Sequence, residues 1–160
     1  PNHRNFYLLN ELEGSVYGYA LDSASGLLSE RQVLSALPPA FGGPQFGEKG
    51  QSRNGGPKAA DLHITPDGRF LYASERTTRT LAAFRVDLES GRLENLGSFE
   101  TEASPRGFNI DPTGQFALVE GQETDNTVIF RITADPGEFE PTGKSVTVGK
   151  PVCIKFFSLE

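Results

Sequence analysis

An all-β fold built from repeated four-stranded units is what this sequence predicts, on three observations. Residues 59–76 read as strand, tight turn and strand, with Leu62 and Ile64 on one face and Asp61, His63 and Thr65 on the other. The stretch then recurs without a gap 46 residues later. Gly68 matches Gly114, Phe70 matches Phe116, Phe84-Arg85-Val86 matches Phe130-Arg131-Ile132, and Gly91 matches Gly137. Glycine and proline, 18 and 11 of 160 residues, fall between the apolar segments rather than within them. Repeats of about 40–50 residues, each holding several short strands, are the mark of propeller blades. The predicted class is therefore an all-β β-propeller of four-stranded antiparallel blades.

Composition excludes several functions. A net charge of −6 with no basic cluster argues against nucleic acid as a partner. No apolar run approaches the roughly 18 residues of a membrane span, and no signal-peptide pattern opens the chain, so no membrane partner is expected. The one cysteine, Cys153, has no internal disulfide partner, which points to a reducing, cytoplasmic compartment.

Taken in order, residues 1–35 read as a partial blade that lacks its first strand. Residues 5–11 align with 69–75 at an offset of 64, and Tyr19-Ala20-Leu21-Asp22 with Phe84-Arg85-Val86-Asp87 at 65, implying a one-residue change in the loop between them. Residues 36–58, rich in glycine and proline and without alternation, read as a long loop, either a disordered insert or an ordered cover over a binding face. Residues 59–101 make a complete blade with strands at 59–65, 69–75, 80–87 and 92–100. Its first turn, Pro66-Asp67-Gly68, combines a preset φ, a side-chain acceptor and a residue tolerant of positive φ. Residues 102–148 make a second blade, with strands at 106–111, 115–121, 126–133 and 139–148. Residues 149–160 open a further one, Pro151 standing 46 residues after Pro105. Phe70, Phe84, Phe116 and Phe130 are expected in the core. A ring needs at least four blades, so the chain is expected to be the C-terminal part of a single, longer propeller domain.

Blade geometry selects the candidate site. The loop entering each first strand and the loop joining strands two and three share one side of the ring, and here they carry Glu11, Glu75, Arg76, Arg106, Gln122 and the long loop. Asp61 and His63 lie on a channel-lining strand. No nucleophile elbow, phosphate-binding glycine loop or metal-type His/Cys cluster occurs, with His3 and His63 the only histidines. Chemistry would therefore rest on carboxylate, imidazole and guanidinium groups, with no metal or cofactor expected.

Three linked motifs make the reading more specific. Ala59-Ala60-Asp61-Leu62-His63-Ile64-Thr65-Pro66-Asp67-Gly68-Arg69 is followed by Glu75-Arg76-Thr77 and then by Ser104-Pro105-Arg106-Gly107-Phe108-Asn109, while Asn10-Glu11-Leu12 precedes them. This series resembles the lactonase family of seven-bladed propellers, which includes 6-phosphogluconolactonases and carboxy-cis,cis-muconate cyclases. The resemblance implies that about three of seven blades are present. By motif Glu11 matches the family's active glutamate and Arg76 its later arginine; Glu75 departs from the aspartate common before that arginine. The family's remaining histidine and arginine belong to segments upstream of Pro1.

The implied activity is hydrolysis of 6-phospho-D-glucono-1,5-lactone in the pentose phosphate pathway. Glu11, His63 and Arg76 are the catalytic candidates and Arg106, Asp61 and Gln122 the substrate-binding ones; Glu11 or His63 is expected to activate water, and Arg76 and Arg106 to hold the phosphate or the developing oxyanion. Each has a plainer alternative: a solvated carboxylate for Glu11, a surface ion pair for Arg76, a packing histidine for His63, and pairing with neighbours for Asp61 and Gln122. Two other functions stay open at this point, a muconate-type lactonising isomerase and a non-catalytic binding scaffold. The expected partner is a small anionic lactone or muconate-like molecule.

Overall fold

The computed structural model describes residues 4–42 and 55–157. Eleven strands occur among them, and no helix. Strands β1 (Asn5–Asn10), β2 (Ser15–Leu21) and β3 (Leu28–Ser35) form a three-stranded sheet. A four-stranded sheet follows from β4 (Ala59–Ile64), β5 (Phe70–Glu75), β6 (Thr80–Val86) and β7 (Leu93–Glu100). Another comprises β8 (Pro105–Ile110), β9 (Phe116–Gly121), β10 (Asn126–Ile132) and β11 (Phe139–Thr147). Every strand pairs antiparallel with its sequence neighbour, so each sheet is a simple meander.

The repeat extends to backbone detail. The last residue of the turn between second and third blade strands is left-handed in all three sheets, at Gly14, Arg79 and Asp125, with φ of 63°, 61° and 53°. Each third strand shifts register against the fourth at one equivalent point, after Gly18, Ala83 and Ile129. These equivalences run at 65 residues from the first sheet to the second. Asn5 pairs with Ala20 as Phe70 pairs with Arg85, and Asn10 with Ser15 as Glu75 with Thr80.

The offset of 64 for residues 5–11, and the one-residue change in the following loop, are therefore corrected. Phe6 had been matched to Phe70 by its aromatic ring, but Phe6 is exposed. The true counterparts are Tyr7 and Tyr72, whose hydroxyls donate to the carbonyls of Gly91 and Gly137 at 2.7 and 2.6 Å.

Two further expectations change. Residues 151–157, expected to open a further blade, carry no strand. Phe116 is only half-buried, beneath the Arg131 guanidinium 4.8 Å from its ring centre. Its counterpart Phe70 is covered by the next blade's Gly137 turn, and no described turn covers Phe116. The centre of the long loop, residues 43–54, lies outside the described residues, as do Pro1–His3 and 158–160.

The core sits between sheets. β5 is buried along its whole length. Phe70 and Tyr72 pack with Phe108, Val119, Phe130 and Phe139 toward the third sheet, and Leu71 and Ala73 pack with Val16, Ala82 and Phe84 toward the first. Burial raises the Tyr72 hydroxyl above its usual pKa, which keeps it a neutral donor to the Gly137 carbonyl.

Gly137 has φ of 82°, and a Cβ placed there would lie 2.6 Å from the Phe70 ring. Gly143 has φ of 71°, but a Cβ there would meet nothing. Gly143→Ala is accordingly expected to cost about 1 kcal/mol from backbone strain alone, and Gly137→Ala about 2–4 kcal/mol because overpacking is added. Denaturant or thermal unfolding of the two variants checks this, and equal losses would contradict the packing role given to Gly137.

Candidate active site

The site is assembled from loops that the repeat places at equivalent positions. Glu11, Arg76 and Gln122 each follow the second strand of their blade. Glu11 Oε1 meets Arg76 Nη2 at 2.5 Å. The Arg76 Nε donates to the Lys58 carbonyl at 3.0 Å, and the Arg76 backbone amide to the same oxygen at 3.2 Å. Nε and Nη2 thus each have a partner, which orients the guanidinium. The amide of Ala59 donates to the Glu11 carbonyl at 3.0 Å, and the Thr77 hydroxyl to the Gly56 carbonyl at 2.8 Å. The described end of the long loop is therefore built into the site.

Glu75, fully buried, is not part of the cleft. Its carboxylate accepts from the Lys58 amide and from the amide and hydroxyl of Thr78 at 2.5 and 2.7 Å. It latches the turn that carries Arg76.

The inner strands add the other groups through bulges. Pairing of β4 with β5 jumps from Ala59–Glu75 to Leu62–Ala73, and pairing of β8 with β9 from Pro105–Gly121 to Phe108–Val119. Ala60 and Asp61 thus oppose Ser74 alone, and Arg106 and Gly107 oppose Glu120 alone. The Asp61 amide, displaced from the ladder, donates to the Ser74 hydroxyl at 3.0 Å. Asp61 and Arg106 join Glu11, Arg76, Cys153 and Lys155 around a cleft of about 350 Å³. A hollow of about 530 Å³ lined by Arg69, Arg85 and Asp135 is larger. Two of its three arginines are paired, Arg69 with Asp67 at 2.7 Å and Arg85 with Asp135 at 2.9 Å, and none of the six candidate site residues lines it. The smaller cleft has the chemistry.

Asp61 is held as an anion. Burial by itself would raise its pKa, but the hydrogen bond and charge of His63 at 3.2 Å, with amide donation from Phe108 at 3.2 Å and Leu62 at 2.9 Å, bring it below the usual carboxylate range. His63 packs edge-on against Phe108, ring centres 4.8 Å apart, and reaches the cleft only through Asp61. Four of the six residues singled out from the sequence thus share the cleft: Glu11, Asp61, Arg76 and Arg106. His63 joins through Asp61, and Gln122, one blade on from Arg76, is outside its lining. No group of three or more His, Cys, Asp or Glu that could hold a metal stands together among the described residues.

Two residues that sequence reasoning passed over belong here. Lys155 lines the cleft. Glu120, only 2% exposed, lies beneath it, against the Gly107 position. The Cys153 amide donates to its carboxylate, and Oε2 has no hydrogen-bond partner. Burial first, and then the charge of Asp61, raise its pKa. The one available signal was an acid where the preceding blade has Ser74.

Comparison with known proteins shows the family of the chain. The family described as Lactonase, 7-bladed beta-propeller, matches residues 1–156. The 6-phosphogluconolactonase of Pectobacterium carotovorum is 45% identical over 111 residues, and that of Yersinia pestis 43% over 112, covering 69% of this chain and 30% of each relative. A solved protein of Bacteroides fragilis superposes with a TM-score of 0.84 at 31% identity, over 99% of this chain and 40% of that one. The periplasmic gluconolactonase of Pseudomonas aeruginosa superposes at 0.83 and 31%, over 98% and 40%. The chain spans about a third of the length of the curated relatives it matches.

The raised pKa of Glu120 has a defined pH signature. The folded chain binds that proton more tightly than the unfolded one, whose glutamates titrate near about 4.3. The stability gained from this proton is complete below that value and is lost as pH climbs through the raised folded pKa. Glu120→Gln is expected to gain stability relative to wild type as pH rises over that interval, read by thermal melts across acid to neutral pH. Parallel curves would mean that Glu120 titrates like an exposed glutamate.

Proposed function

Because the chain belongs to the lactonase family of seven-bladed β-propellers, we propose that it forms part of an enzyme that hydrolyses 6-phospho-D-glucono-1,5-lactone to 6-phosphogluconate, a step of the pentose phosphate pathway. The observation that carries this reading is the Glu11–Arg76 pair at a cleft that also presents Arg106 and Asp61. A scaffold has no need to gather those groups. The names of the curated relatives favour hydrolysis over the reverse-type cyclisation, which would use the same cations. The single cysteine supports the cytoplasm as the compartment.

In this reading Glu11, 60% exposed to the cleft, accepts a proton from the attacking water. The water oxygen bonds to the lactone carbonyl carbon. Arg76 spends Nη2 on Glu11 and Nε on Lys58, which leaves Nη1 to donate to the oxygen that becomes negative in the tetrahedral intermediate. Collapse breaks the bond to the ring oxygen, which takes the proton back from Glu11 and leaves as a hydroxyl, and the carboxylic acid so formed gives its own proton to solvent to become the carboxylate. Asp61, fixed by His63, offers an acceptor for sugar hydroxyls. Gln122 would meet only a substrate that extends past the cleft. Lactone hydrolysis needs no organic cofactor, and none is invoked.

The test is turnover of 6-phosphogluconolactone by the full-length protein above the spontaneous rate. Glu11→Gln and Arg76→Ala are each expected to lose on the order of 100-fold in kcat/KM, equivalent to about 2.7 kcal/mol. Background-level turnover by wild type would remove the assignment, and full activity in both variants would remove these two residues from the site.

A further inference from the structure

The cleft holds more positive charge than its carboxylates use. Glu11 is committed to Arg76 and Asp61 to His63. Arg106 and Lys155 line the same cleft, and neither has an ion-pair or side-chain hydrogen-bond partner among the described residues. The chain as a whole carries −6, so two unpaired cations in one cleft run against its general surface.

We propose that Arg106 and Lys155 together form the phosphate-binding subsite of this cleft and select phosphorylated over unphosphorylated lactones. The proposal rests on the hydrolytic reading above and adds the residues that choose the substrate.

The repeat itself argues that these charges are not there for the scaffold. The blade positions equivalent to Arg106 are held by Ala60 and Val152, and those equivalent to Lys155 by His63 and Asn109. A cation required to stabilise the inner strand would recur at these places. Both residues are also positioned beforehand. Arg106 stands on the β8 bulge, against a buried Pro105. The segment bearing Lys155 has no ladder, yet Asn109 Nδ2 donates to the Ile154 carbonyl at 2.9 Å and the Cys153 amide bonds to buried Glu120. The two groups are complementary as phosphate ligands, a planar fork that can bond two oxygens and a compact point charge. The cleft volume, about 350 Å³, lies in the range of sites for small ligands.

The experiment compares kcat/KM for 6-phosphogluconolactone and for unphosphorylated glucono-1,5-lactone in the full-length protein. Wild type is set beside Lys155→Gln, Arg106→Gln, the double variant and Lys155→Arg. The phosphorylated-to-unphosphorylated ratio is expected to fall about tenfold in each single Gln variant, mainly through KM, and further in the double one, while Lys155→Arg keeps most of it. Equal losses on both lactones, or no loss on either, would overturn the subsite. If wild type hydrolyses neither lactone, the hydrolytic reading fails by itself, and calorimetry with 6-phosphogluconate and gluconate decides the subsite separately. Weaker binding of only the phosphorylated acid by Lys155→Gln would sustain it, and unchanged binding would overturn it.

Discussion

A sheet with apolar side chains on both faces is stable only between two others, and everything else in this chain follows from that constraint. β5 shows it most directly. Its odd and even side chains enter different cores, Phe70 and Tyr72 on one side and Leu71 and Ala73 on the other. The blades are held at a set spacing by a side chain pressed on a glycine turn, Asn5 on Gly91 and Phe70 on Gly137, and by a tyrosine hydroxyl bonded to that turn's carbonyl, Tyr7 to Gly91 and Tyr72 to Gly137.

That spacing is what makes a cleft from residues far apart in sequence. Glu11 comes from the first sheet, Asp61 and Arg76 from the second, Arg106 from the third and Lys155 from the segment after it. None of these blades holds a site alone. The bulges in β4 and β8 do the local aiming: one extra residue on the inner strand turns Asp61 and Arg106 out of the ladder, and at the β4 bulge the Ser74 hydroxyl accepts from the Asp61 amide set free.

Much of the fold was legible because the second and third sheets keep the same residue types at fixed intervals, as at Gly68 and Gly114 or Phe84 and Phe130. The first strand of the first sheet, and not its later strands, was misaligned by one residue for a physical reason. The left-handed turn position that anchors the register is Gly14, Arg79 and Asp125 in the three blades, so sequence gives no common marker there, and an aromatic residue at Phe6 supplied a false one. Glu11 and Arg76 were legible through their motifs. Glu120 and Lys155 were not, since each departs from its repeat equivalents; Glu120 takes its meaning from the Cys153 amide and the Asp61 charge, and Lys155 from the cleft it lines. Phe116 misled in the opposite sense: its type fits a core, but burial depends on a covering turn that its own blade does not provide.

The bond from Arg76 to the Lys58 carbonyl ties the site to the loop before it. The loop holds this guanidinium through a backbone oxygen and not through one of its own side chains, so what matters at Lys58 is the loop's path more than the residue type. Sequence variation and length variation in residues 36–58 are thus under different selection. Point changes spread easily through a loop of this kind. Insertions near its end would move Gly56 and Lys58 and tilt the arginine with them. The loop and the charged pair are thus mechanically coupled, and a displacement of the one is passed to the other.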